Sequence, residues 1–333
     1  MQIFDILTIG TATRDVFLTS SLFKVLRDPK HLAQLGFITG EAECFALGSK
    51  LKVDKLVRST GGDAANAAVT FARQGFKTAM LAKVGSDEAG KEIAQELKDE
   101  KIAILNEVHT GETDYSTILL APGGERTVLV FRGTPLSKKE VTFSRLKAKW
   151  AYIAPGDIST SLIKEIVTLL KKQGTKIAFN PSRHYLEKSS TDVKMIIAQS
   201  DIVIMNREEA ASLVDMPYKN EKGVFRKLDQ LINGITIMTD GPRGAIVSDG
   251  THVYRCGTFK ENVCVDRTGA GDAFGSGFVV GFIRSNDICF ALRLAAANAT
   301  SVVEHIGAQE GILSENDFKN KRWQFLDLDI ESR

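Results

Sequence analysis

The chain is poor in features that would point to a specialised partner. It has four cysteines in 333 residues, at positions 44, 256, 264 and 289. No two are spaced C-x-x-C, which argues against a zinc ribbon or a thioredoxin-like pair, and four are too few for a disulfide scaffold. They read as small buried hydrophobes in a reducing compartment. Charge of one sign is also lacking: 43 Lys and Arg against 41 Asp and Glu leave a formal net charge of +2. Nucleic acids and anionic membrane surfaces require a concentrated positive field, so neither is expected as a partner. No apolar run reaches the roughly 18 residues of a membrane span. Met1-Gln2-Ile3-Phe4-Asp5-Ile6 lacks the basic flank and apolar stretch of a secretory signal. A soluble cytoplasmic protein is expected. Repeats, low-complexity tracts and Pro/Gly/Ser linkers are missing too, which favours one large domain over two in series.

What is present is alternation. Short apolar runs (Phe4 to Ile9, Thr78 to Val84, Trp150 to Ala154, Lys176 to Phe179, Ile202 to Met205, Ile235 to Met238) alternate with amphipathic ones such as Ala64 to Gln74 and Ser161 to Gln173. That pattern predicts an α/β fold, a three-layer α/β/α domain with a mostly parallel sheet. Two stretches, Cys44 to Arg58 and Asp114 to Arg132, read instead as antiparallel strands, with Gly123-Gly124 as a tight turn. They predict a small inserted β lid from roughly residues 12–19, 38–60 and 110–134. Ser20 to Leu35 reads as an extra helix, and Asn316 to Phe325 as a carboxy-terminal one. Lid positions Phe45, Leu47, Val128 and Val130 need cover, which a flap-against-flap C2 dimer or the extra helix would supply.

Two glycine-rich segments are decoys. Gly85 to Lys91 matches a phosphate-binding P-loop until Glu92 stands where a hydroxyl residue belongs, so Asp87 or Ser86 is expected to cap a helix. Gly269 to Gly275 approximates a dinucleotide fingerprint, but it lies near the carboxy terminus with helix after it, not strand.

The segment Asp266 to Gly277 carries more chemistry. Its small residues, Gly269, Ala270 and Gly271 among them, stand where a helix begins, so backbone N–H groups can converge on an anion. Asp272 at the same helix start would repel a phosphate, unless its task is to take a proton from an attacking hydroxyl. A second segment, Gly61-Gly62-Asp63-Ala64-Ala65-Asn66, joins the lid to a helix. Asn66 falls one turn after Asp63, and Asp15 follows the first strand, where a carboxylate suits a polyol.

These residues resemble the ribokinase-like (PfkB) carbohydrate kinases. Gly61-Gly62 with Asn66 and Ala68 is similar to the family's first signature. Asp266 to Asp272 is similar to the second, with Arg267 where threonine is more usual. Asn206 to Glu209, Thr239 to Gly244 and Asn298 follow in the family's order. The resemblance implies that Asp272 is the catalytic base and Gly269, Ala270 and Gly271 the anion hole. It implies that Asp15, Gly62, Asp63 and Asn66 hold the acceptor, and that Asn206, Thr239, Gly241, Gly244 and Asn298 line the ATP site. Glu209 would lie near Mg2+. Asp266, Thr268, Val302 and Gly307 would offer oxygens to K+. The activity implied is ATP-dependent phosphorylation of a sugar hydroxymethyl group. A nucleoside kinase is the alternative, and a non-catalytic sugar or nucleotide sensor the alternative of another class.

Overall fold

The computed structural model describes residues 3–37, 40–106, 111–121, 126–188 and 190–332. In the amino-terminal half the strands are β1 Phe4–Gly10, β2 Thr13–Thr19, β3 Val25–Arg27, β4 Glu41–Glu43, β5 Lys55–Gly61, β6 Thr78–Ala82, β7 Ala103–Ile104, β8 Asp114–Leu120 and β9 Arg126–Phe131. The helices there are α1 Pro29–Gln34, α2 Asp63–Arg73 and α3 Glu88–Asp99. The second half carries β10 Ala148–Ala154, β11 Lys176–Phe179, β12 Ile202–Asn206, β13 Ile235–Thr239, β14 Ala245–Ser248, β15 His252–Cys256 and β16 Leu328–Ser332. Its helices are α4 Thr160–Lys172, α5 Arg183–Lys188, α6 Ser190–Gln199, α7 Arg207–Leu213, α8 Glu221–Leu231, α9 Ala270–Ser285 and α10 Ile288–Val303.

One sheet runs β16-β15-β14-β13-β12-β11-β10-β1-β6-β7. The pairs from β7 through β13 are parallel, and β14, β15 and β16 add on antiparallel. Buried strands such as Thr78–Ala82 have no exposed face, as a sheet covered on both sides requires. Leu7 and Ile9 point into a core shared with α4, α6 and α8. Their neighbour Ile6 points the other way, toward α2, α9 and α10. The strand order reverses between β1 and β10, so a crevice opens outside their carboxyl ends.

A separate four-stranded sheet has the order β5-β2-β8-β9. Residues 13–19, 55–61, 114–120 and 126–131 form it, but Cys44 to Arg58 is not one strand: β5 begins only at Lys55, the stretch before it is irregular, and Glu41–Glu43 pairs apart with β3, while the Gly123-Gly124 turn lies outside the described residues. Phe17, Ile118 and Leu120 make its small core. Asp87 caps α3 through the Gly90 N–H at 2.9 Å, which leaves the P-loop decoy as a plain strand-to-helix turn.

Three further expectations are corrected. Ser20 to Leu35 is not one helix. Pro29 opens the short α1 late, and β3 before it pairs with β4. The carboxy-terminal segment is two short 3-10 turns and a strand. Trp323 packs edge-on against Phe259 at 5.2 Å, and the open edge of β15 recruits β16. Of the cysteines, only Cys256 is buried; Cys44 and Cys264 lie exposed in irregular segments. Among the described residues, no helix is long and apolar enough to cross a membrane.

Candidate active site

The parallel strands deliver polar residues to one edge. Thr11 follows β1, Gly156 and Asp157 follow β10, Ser182 follows β11, and Asn206 and Thr239 end β12 and β13. These residues help to wall three abutting cavities of about 230, 210 and 270 Å³. Asp63, Ser182 and Asp272 belong to both the first and the second, and Asn206, Thr239 and Gly271 to both the second and the third. The result is a continuous trough with Asp272 at a junction. The small sheet supplies Thr13, Asp15 and Ser116 to the first cavity, and Arg132 stands just past β9.

Two helix amino termini open on this trough without a side-chain cap. At α9 the capping position is Gly269, left-handed at φ 77°. A Cβ there would fall 2.3 Å from that of Ala308, so only glycine fits. At α2 it is Gly62, φ 94°, whose added Cβ would meet the Thr11 carbonyl oxygen at 2.6 Å. By contrast Asp87, Ser159, Asn206 and Asp287 cap α3, α4, α7 and α10. Amides left free at the start of a helix favour an anion.

Asp272 lies in the first turn of α9. Its Oδ2 accepts a hydrogen bond from Asn66 Nδ2 at 2.9 Å, and Asn66 Oδ1 accepts one from Gln309 Nε2 at 3.0 Å. This relay aims the carboxylate. Burial, reinforced by the charge of Asp63, holds Asp272 well above the ordinary carboxylate range, while Asn66 pulls the other way. Burial also raises Asp63, with Arg132 opposing. Asp15 is raised by burial as well, against the hydroxyls of Thr13 and Ser116 and the charge of Arg132. Arg132 is itself held by Asp114 at 3.2 Å. Glu209 is pushed up to about 7, chiefly by burial.

Most residues proposed from the sequence therefore meet: Asp15, Gly62, Asp63, Asn66, Thr268, Gly269 and Asp272 around the first cavity; Asn206, Glu209 and Gly271 around the second; Thr239, Gly241, Gly244 and Ala270 around the third. Asn206 and Glu209 have a second task, since they form a reciprocal capping box at the start of α7. Asn298 is a correction. It is buried, donates to the Ala273 carbonyl at 2.9 Å and accepts from the Leu313 N–H at 2.9 Å, so it ties helices together instead of lining a cavity. Val302 is buried too, and Asp266 spends its carboxylate on Thr268 and on the Gly307 N–H. Ser182, His184 and Asp157 escaped sequence reasoning. Asp157 and Ser182 sit on loops and His184 in the first turn of the short α5, none with motif spacing, and only their places just past β10 and β11 could have suggested them. Arg267, with Glu261 at 3.7 Å, stands on the wall of the third cavity.

A carboxylate facing an uncapped helix terminus, in the switch-point crevice of a three-layer α/β/α fold, defines a small-molecule phosphotransferase. Comparison makes the class specific: the family model for pfkB family carbohydrate kinases matches residues 32–315, and the chain belongs to that family. It is 26% identical over 278 residues to an ATP-dependent 6-phosphofructokinase of Thermoanaerobacterium thermosaccharolyticum (78% of this chain, 84% of that one). It is 24% identical over 257 residues to a nucleoside kinase of Methanothermobacter thermautotrophicus (76% and 81%). The structure of Arabidopsis thaliana ribokinase complexed with ribose and ATP superposes with a TM-score of 0.75 at 19% identity, covering 97% of this chain and 100% of that one. The protein is thus a kinase, a phosphotransferase with a hydroxyl acceptor, and kinases of its family draw on ATP.

The sign of the Glu209 shift has a consequence for stability. A folded-state value near 7, above the ordinary carboxylate range, makes its contribution complete at low pH and lost as pH rises through 7. Glu209→Gln keeps the cap and removes the charge. In the ligand-free protein it is expected to melt at a higher temperature than wild type at about pH 8, with the difference vanishing toward about pH 4. Calorimetry across that range checks it.

Proposed function

We propose that the chain transfers the γ-phosphoryl group of ATP to a hydroxymethyl group of a free sugar. The observation that carries this reading is the place of Asp272, between a cavity walled by hydroxyls and carboxylates and the free amides of α9. The acceptor sits in the first cavity, held by Asp15 and by groups around Gly62, Asp63 and Asn66. Asp272 accepts the hydroxyl proton, and the freed oxygen attacks the γ-phosphorus in line. The anion hole of Gly269, Ala270 and Gly271 bears the charge that develops. The nucleotide lies along Thr239, Gly241 and Gly244, with Arg267 beside it. The small sheet is the lid, and its closure excludes water from the transfer.

The donor set of the second cavity fits a hard divalent cation such as Mg2+. Its polar lining includes the carboxyls of Asp63, Glu209 and Asp272 and the side chains of Asn180, Ser182, Asn206 and Thr239; among the described residues no three acids gather closely enough to hold a metal alone, so phosphate oxygens and water would complete the shell. Such an ion would neutralise phosphate charge. Potassium fits less well. Asp266 is already hydrogen-bonded at both oxygens, and the Arg126 guanidinium of the lid stands 4.0 Å from it. A potassium ion there would be held by backbone oxygens near Asp266, Thr268, Val302 and Gly307.

Among the described residues lining the first cavity there is no Phe, Tyr or Trp to stack on a base. Its volume of about 230 Å³ also falls below the roughly 300 Å³ at which drug-sized sites begin. Both points favour a sugar over a nucleoside. A sensor would gain nothing from a base aimed by the Asn66 and Gln309 relay. The lid leaves Val128 and Val130 about half exposed, and α1 is too short to cover them, which supports a homodimer through the lid.

Four outcomes test these points. Asp272→Asn is expected to lower kcat by roughly 10² to 10⁴-fold with no loss of melting temperature; wild-type kcat/KM falls as pH drops through the raised Asp272 value, because the protonated acid cannot accept a proton. In a panel of pentoses, hexoses, sugar acids and nucleosides with Mg-ATP, phosphate uptake is expected on a free sugar, and uptake confined to nucleosides selects the alternative. Light scattering on a size-exclusion column is expected to give a dimer mass; a monomer mass removes the lid interface.

A further inference from the structure

The lid meets the body through charge at one helix. Arg14 on β2 and Thr60 on β5 are opposite one another in the strand ladder. Successive side chains on a strand face opposite ways, so the register that sends Asp15 into the cavity turns Arg14 away from it. There Arg14 is 2% exposed. Its Nη1 donates to Glu96 Oε1 and its Nη2 pairs with Glu92 Oε2, each at 3.0 Å. The other oxygen of Glu96 accepts from the Thr60 N–H at 3.1 Å and from the Thr60 hydroxyl. A single carboxylate thus bridges two lid strands.

The same helix, α3, holds a third strand. Asp87, its capping residue, accepts from the N–H and hydroxyl of Thr113, just before β8, and that hydroxyl accepts from the Gly85 N–H at 3.0 Å. The strands so held are the ones that carry the acceptor groups Asp15, Gly61-Gly62 and Ser116. Slack between them is small. A Cβ on Gly61 would fall 1.9 Å from Asp15 Oδ2, so a slip of β5 against β2 displaces that carboxylate. Glu96 and Thr60 also line an open groove of about 790 Å³ on this side of the lid, where solvent competes for the contacts.

We infer that Arg14 and Glu96 are positioning residues, a charged latch on α3 that sets where the lid places Asp15 and the Gly61-Gly62 turn relative to Asp272. The inference rests on the kinase reading above. The latch acts on the acceptor and not on the nucleotide, whose wall is built from β12, β13, α9 and α10.

The test uses the full chain with Mg-ATP and D-ribose, D-fructose or whichever panel member the wild type turns over. Three variants are compared: Glu96→Gln, which removes one of the two carboxylates facing Arg14, the one that also holds Thr60, and leaves Glu92 in place; Thr60→Val, which removes one hydroxyl and spares the ion pairs; and Arg14→Lys, which keeps the charge. Thermal melting confirms folding, and Thr60→Val serves if the charge variants do not fold. Glu96→Gln and Thr60→Val are expected to raise the acceptor KM about tenfold, as a small misplacement of a substrate-holding group does. ATP hydrolysis without acceptor is expected to rise, the KM for ATP to stay put, and Arg14→Lys to recover part of the acceptor KM. A merely structural role would lower the active fraction and leave both KM values unchanged. Folded variants with wild-type acceptor KM and no added ATP hydrolysis overturn the latch. A wild type that phosphorylates no panel member, while still folded, overturns the kinase reading and the latch with it.

Discussion

Asp272 places a carboxyl group in the first turn of a helix whose uncapped amino terminus favours anions, and the trough is arranged around that position. The helix end alone would make the carboxylate a weaker base. Burial and the neighbouring Asp63 work against the helix and raise its proton affinity. The role proposed for it asks for that balance, because a general base must be ionised before the reaction and willing to hold a proton during it. The Asn66 contact adds direction to affinity.

The fold supplies the balance through topology. Reversal of strand order between β1 and β10 splays the connecting loops, and the carboxyl ends of β1, β10, β11, β12 and β13 then face one trough. Two apolar cores on either face of the sheet keep those ends in register. Carboxylates crowded together cost stability in the empty protein, and the well-packed cores tolerate that cost. The small sheet adds Thr13, Asp15 and Ser116 to the wall of the first cavity, so its attachment to α3 sets where those side chains stand.

Local motifs were the legible part of the site. Asp266 to Asp272 and Gly61 to Asn66 could be read because their chemistry lies within one turn of helix and the loop before it. The same locality explains why Asn298 could not be read from the chain. A helical amide looks alike on paper whether it faces a ligand or, as here, the Ala273 carbonyl and the Leu313 amide. Asn206 and Glu209 show a mixed case, since one pair of side chains both caps α7 and walls a cavity. Ser182 and His184 left no signal because nothing near them in the chain is unusual.

Alternation of apolar runs determined the layered α/β body, since burial of a parallel sheet on both faces leaves few other arrangements for such a pattern. The glycines at 62 and 269 and the acids at 63 and 272 are likewise written into the chain, because close approach of backbone excludes a side chain at those points. Which acids share a cavity was decided only in three dimensions. So were the pairing of Arg14 with Glu92 and Glu96 and the company of Arg132. Charges interact through space, and the distances that set their strength are between residues far apart along the chain.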